Sequence, residues 1–144
     1  MKAKPGTLWN ENKCWCIVDE IGWKDLSGHR EKSVNFRIKY PLYGSYMRKF
    51  SQHMRNKLNE AIDSYAKQSG ECIPTVGRDS GWDLTAHIVG LGKRTFYETL
   101  KNPELAAMMY AQGDYIENFE YVFSIPSGEN SFAEIQFKPE YLDA

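Results

Sequence analysis

The stretch Ser33-Val-Asn-Phe-Arg-Ile-Lys-Tyr40 alternates apolar and polar side chains without interruption. Successive side chains of a β-strand point to opposite faces, so an extended chain would place all the apolar members on one side. The pattern therefore predicts a half-buried strand over residues 33–40. Pro41 ends it, because proline has no N–H to donate to a sheet ladder. The side predicted to be buried consists of Val34, Phe36, Ile38 and Tyr40.

A second strand is expected immediately before this one, over residues 13–22. Trp15, Ile17 and Ile21 share one parity there, and residues that favour strands dominate the segment. The connection contains Ser27-Gly28, a turn signal. The two segments together predict an N-terminal β-hairpin with a long polar loop.

A second hairpin is predicted at the other end of the sequence. Phe119, Tyr121 and Phe123 alternate with Glu120 and Val122, which favours a strand. A segment of turn-forming residues follows at 125–131. The alternation then resumes in the group Ala133, Ile135 and Phe137.

The middle of the sequence has the period of helices. Apolar residues recur at steps of three and four from Ser45 to Lys67, and Gly70 is a natural stop. A further helix is expected from an N-cap at Ser80 to about Leu100. Asn102-Pro103 predicts the start of a third helix, which Gly113 ends.

These elements predict an α+β fold. An antiparallel sheet would form from the N-terminal and C-terminal hairpins, and about three helices would cover one of its faces. The 144 residues are a common length for one domain with one core. We therefore expect residues 1–144 to form a single globular domain.

Composition restricts the class of protein. Hydrophobic residues make up 42% and aromatic residues 14% of the chain, which predicts a packed globule rather than a disordered polyelectrolyte. The sequence contains no run of apolar residues long enough for a signal peptide or a membrane span. Its odd number of cysteines, Cys14, Cys16 and Cys72, fits a reducing compartment. We expect a cytoplasmic protein that does not enter membranes.

Charge is unevenly distributed along the sequence. Residues 1–57 hold twelve basic and five acidic side chains, whereas residues 58–144 hold six and fourteen. A basic face is predicted on the strand and on the long helix, where it could bind a partner or follow a phosphate backbone. The overall pI of about 6.3 is low for a dedicated nucleic-acid domain. The binding candidates of this face are Arg37, Lys39, Arg48, Lys49, Arg55 and Lys57.

The segment 79–93 offers an alternative site for a small molecule or for catalysis. Asp83 and His87 lie four residues apart and share a helix face, so the carboxylate could orient the imidazole. Asp79 could add a second acid, and Trp82 is a further binding candidate. Aspartates also favour a helix N-terminus for electrostatic reasons, so capping is the simpler interpretation of Asp79 and Asp83.

No complete catalytic motif is present, and neither the cysteines nor the histidines have the spacing of a metal site. We expect no cofactor and no metal. The hypothesis that remains is a small accessory or inhibitor protein of bacterial or phage type that binds another protein through a charged, aromatic-rich surface. An enzyme or small-molecule-binding domain and a nucleic-acid-binding protein are the alternatives, and a homodimer is possible because the charges are divided.

Overall fold

The computed structural model describes residues 11–23, 29–41, 43–70, 79–113 and 119–123. Within those ranges every regular element is a helix, so the predicted α+β fold is wrong. The hairpin segment at 125–137 lies outside the described residues. The helices are α1 (Glu11–Ile21), α2 (His29–Lys39), α3 (Gly44–Ser69), α4 (Asp79–Gly90), α5 (Lys93–Lys101), α6 (Glu104–Gln112) and a 3₁₀ helix (Phe119–Phe123).

The predicted strand 33–40 falls largely within α2. A strand would bury Phe36 and Ile38 together, but Phe36 is 3% exposed whereas Ile38 is 74% exposed. A helix turns about 100° per residue, so Phe36 shares its inner side with residues three and four positions away. Glu31 in the first turn and basic residues in the last turn suit the dipole of a helix. The alternation in the sequence is therefore not the alternation of a sheet.

The predicted strand 13–22 is likewise helical. Its buried residues Cys14, Trp15, Ile17 and Val18 follow the three- and four-residue steps of a helix rather than the single parity that suggested a strand. The indole N–H of Trp15 donates to Glu11 Oε2 at 3.0 Å, one turn earlier. Both strands of the predicted N-terminal hairpin are thus replaced by helices.

The segment Phe119–Phe123 forms a 3₁₀ helix. Phe119, Glu120, Val122 and Phe123 are buried, and only Tyr121 is exposed. Three residues per turn produce this pattern, whereas a strand would place Tyr121 beside the two phenylalanines. The apparent alternation of the aromatic residues was misleading because all of the segment except Tyr121 faces inward.

The helical predictions for the middle of the sequence are confirmed, except at two predicted N-caps and in the length of the second helix: α4 begins at Asp79, so Ser80 lies inside it, and Pro103 rather than Asn102 is the N-cap of α6. The long helix extends over Gly44–Ser69, and the third helix ends at Gly113 in the left-handed conformation that favours glycine. The helix expected from Ser80 to Leu100 is divided into α4 and α5. Gly92 separates them with φ 110°, a conformation that other residues rarely adopt.

The described residues fall into two compact units, whose boundaries lie after Ser51 and after Phe119. The first unit contains α1, α2, the start of α3 and most of the 3₁₀ helix. In its core the rings of Trp15 and Phe50 meet edge to face at 5.1 Å between centroids. The rings of Phe36 and Phe123 do the same at 5.0 Å.

Two serines hold the 3₁₀ helix within the first unit. Ser33 of α2 donates to the carbonyl oxygen of Val122 at 3.2 Å. Ser51 of α3 donates to Glu120 Oε2 at 2.9 Å, and both side chains are buried. A buried carboxylate needs such donors, because burial without a hydrogen bond is costly.

The second unit contains the rest of α3 with α4, α5 and α6. The last three pack against one another. Their buried apolar residues include Leu84, Ile88, Val89, Phe96 and Ala106. Over the described ranges, no helix combines the length and the apolar character needed to cross a membrane.

Candidate binding groove between the first two helices

A groove runs between α1 and α2 in the first unit. Ile17 and Ile21 of α1 and Phe36 of α2 form its apolar lining. Residues three or four positions apart on a helix share a face, and the lining on each helix follows that spacing. The polar lining residues are Glu20, Lys32, Asn35, Lys39 and Tyr40.

Three of the polar side chains are linked across the groove. Glu20 of α1 accepts a hydrogen bond and an ion pair from Lys39 of α2 through Oε1. Its second oxygen, Oε2, accepts a hydrogen bond from the Tyr40 hydroxyl at 2.5 Å. One carboxylate therefore connects the C-terminal ends of both helices.

The pKa values of Glu20 and Tyr40 are both shifted away from neutral pH. The hydrogen bond from Lys39 lowers the pKa of Glu20, and the bond from Tyr40 adds to that effect. Burial, followed by the hydrogen bond to Glu20, raises the pKa of Tyr40 to about 12. A general acid or base works best with a pKa near the operating pH, so these two groups are suited to binding rather than to proton transfer.

The surroundings of Glu20 are predominantly basic. Lys32 and Lys39 line the groove, and the charge of Lys13 also helps to lower the pKa of Glu20. Asp19 and Glu31 are exposed on the same two helices but do not belong to the lining. The lining itself carries two lysines and one carboxylate, and that carboxylate is paired with Lys39.

The size of the groove limits what can enter it. It holds about 140 Å³, close to the roughly 150 Å³ cavity that accommodates one benzene molecule. Pockets for drug-sized ligands are larger, about 300–1,000 Å³. The groove therefore fits one leucine- or phenylalanine-sized side chain better than a whole cofactor.

The basic residues predicted to form one face differ in exposure and in pairing. Lys39 is paired with Glu20, Arg55 is 7% exposed, and Lys49 and Lys57 are exposed. At about 100° per residue, Lys57 lies opposite Arg48 on α3. Arg37 and Arg48 are half-buried, and each has a buried Nε without a hydrogen-bond partner. Of the six, only Lys39 contributes to the groove.

The structure describes the side chains of only some residues of the alternative site at 79–93. Asp83 and His87 both lie on α4, as the sequence predicts; Asp83 is half-buried and His87 is 5% exposed. Asp79 and Trp82 also belong to α4, but their side chains lie outside the described residues. Within the described part of the chain, no cluster of three or more histidine, cysteine or acidic side chains could hold a metal ion.

The two described cysteines differ in environment. Cys14 is buried, and burial raises the pKa of its thiol to about 12 although Tyr46 hydrogen-bonds to it. Cys16 is exposed. A buried thiol with so high a pKa is unreactive as a nucleophile, so Cys14 serves as part of the core.

Sequence reasoning missed Glu20 and Asn35 as site residues. The α1 side of the groove could have been recognised from the sequence, because Ile17, Glu20 and Ile21 have helical spacing. The pairing of α1 with α2 is a tertiary property that spacing within one segment does not encode.

No family model, curated protein sequence or solved structure matches this chain.

Proposed function

We propose that the chain is a protein-binding module whose α1–α2 groove receives one apolar side chain of a partner protein. The observation that carries this proposal is the combination of an apolar floor, a polar edge and a volume of about 140 Å³. Interfaces gain much of their affinity from a few anchors that fill such pockets. The polar edge then fixes the orientation of the segment around the anchor.

Binding is favoured over catalysis by the chemistry of the groove. The carboxylate of Glu20 is held ionised by Lys39, and the phenol of Tyr40 is held protonated by burial and by Glu20. Neither is poised to exchange a proton near neutral pH. The arrangement provides fixed hydrogen-bonding groups, which is what recognition requires.

Site-specific photo-crosslinking tests the proposal. Asn35 lines the groove and is exposed, whereas Asn56 is an exposed asparagine elsewhere on α3. Each is replaced separately by p-benzoylphenylalanine in the full-length chain, which is irradiated in a lysate of its source cells. We expect a defined protein adduct from position 35 and not from position 56. Equal labelling from both positions, or no adduct at position 35, contradicts the proposal.

A further inference from the structure

Two arginines flank the 3₁₀ helix of the first unit, one on α2 and one on α3. Ser33 and Ser51 both donate a hydrogen bond to this five-residue helix, so the two serines lie at one level. Arg37 follows Ser33 by one helical turn, and Arg48 precedes Ser51 by one turn. Because the chain turns between α2 and α3 within residues 40–43, both arginines lie one turn closer to that connection.

Both guanidinium groups lack an acceptor among the described residues. Arg37 and Arg48 are half-buried, and the Nε atom of each is buried without a hydrogen-bond partner. No carboxylate of the described part of the chain pairs with either group. A buried donor without an acceptor costs free energy, and a guanidinium group matches a carboxylate through two parallel hydrogen bonds. The two side chains are therefore suited to receive a carboxylate.

The segment 124–144 begins beside these arginines. Phe123, the last residue of the 3₁₀ helix, packs against Phe36, the residue before Arg37. The segment contains four acidic side chains and one basic side chain. Its first acid, Glu129, follows Phe123 by six residues, a reach of roughly 20 Å for an extended chain. So short a tether gives the carboxylate a high effective concentration at the two guanidinium groups.

We infer that Arg37 and Arg48 hold the segment 124–144 against α2 and α3 by binding one of its carboxylates. The contact is separate from the groove between α1 and α2. At about 100° per residue, Arg37 lies on the opposite side of α2 from Asn35, which lines the groove. The inference therefore goes beyond the proposed function and does not depend on it.

The Nε–Hε resonances of arginine in the ¹⁵N-labelled full-length chain test the inference. In one variant the four acids of the segment become amides: Glu129→Gln, Glu134→Gln, Glu140→Gln and Asp143→Asn. We expect the Hε resonances of Arg37 and Arg48 to move upfield in this variant, because both lose a charged acceptor. A control variant, Glu60→Gln with Glu104→Gln, removes two exposed acids of other helices and should leave both resonances in place.

A reciprocal substitution separates loss of the contact from loss of the fold. Arg37→Gln should shift backbone amide resonances within residues 124–144. Arg94→Gln, the same change at an exposed arginine of α5, should leave those resonances unchanged. Unaltered amide resonances of α1 in each variant show that the first unit remains folded.

Inorganic phosphate distinguishes the carboxylate of the segment from an external oxyanion. The Hε resonances of Arg37 and Arg48 in the wild type should not respond to added phosphate, because the segment already occupies both groups. A phosphate response in the wild type would assign the two arginines to an external oxyanion and overturn the inference. Resonances that stay in place when the four acids are removed would overturn it as well.

Discussion

Glu20 links α1 to α2, yet its contribution to stability is small. Its side chain is 42% exposed and that of Lys39 is 61% exposed, so solvent screens the pair. Exposed ion pairs contribute about 0.2–1 kcal/mol. We therefore regard Glu20 as a residue that sets the geometry and charge of the groove rather than as a main source of folding free energy.

The lowered pKa of Glu20 predicts a specific dependence of stability on pH. Because the folded state lowers this pKa, the unfolded state binds the proton more readily, and stability rises with pH. The contribution is complete above the unfolded value of roughly 4.3 and is lost as the pH falls through the lower folded value.

Urea unfolding of the wild type and of Glu20→Gln measures this contribution. The difference between the two in the free energy of unfolding should be positive at neutral pH, no larger than about 1 kcal/mol, and should vanish at strongly acidic pH. Glu60→Gln, the same change at an exposed position of α3, serves as the control. A Glu20→Gln difference that is independent of pH contradicts the assignment.

At the scale of elements, helix length decided which sequence predictions were correct. The 26 residues of α3 repeat the helical period often enough to exclude a strand. The 11 residues each of α1 and α2 and the five of the 3₁₀ helix contain too few repeats to do so. Short apolar runs are ambiguous between the two periods, and contacts such as that of Phe36 with Phe123 are made only in the folded chain.

The sequence predicts less of the candidate site than of the fold. Lys39 was identified for its charge, but its contact with Glu20 joins positions that are 19 residues apart. Tyr40 was assigned to a buried strand face, whereas it is half-buried at the end of α2. Such contacts arise when two helices pair, and one sequence without its relatives gives no direct information on that pairing.

Two alanine substitutions in α2 test the helical register. Phe36→Ala should lower the free energy of unfolding by about 3–5 kcal/mol, because it removes a buried aromatic side chain. Ile38→Ala should change it by no more than about 0.5 kcal/mol, since Ile38 is exposed. Chemical denaturation measures both. Comparable large losses at the two positions would indicate that they share a buried face, as in a strand.

For the molecule as a whole, the uneven charge along the sequence is not concentrated in the groove helices. Residues 1–57 carry a net charge of +7 within a chain of net charge −1, and α1 and α2 both lie in that part. The two groove helices together carry five basic and four acidic side chains, so most of the basic excess of residues 1–57 lies outside them.

The central claim is that residues 11–21 and 29–39 are helices, because the groove exists only if they are. Backbone ¹³Cα chemical shifts of the full-length protein in solution test this most directly. We predict shifts displaced downfield from random-coil values continuously through both ranges, as helices require. Upfield displacement through residues 33–40, the signature of a strand, would contradict the fold and remove the groove.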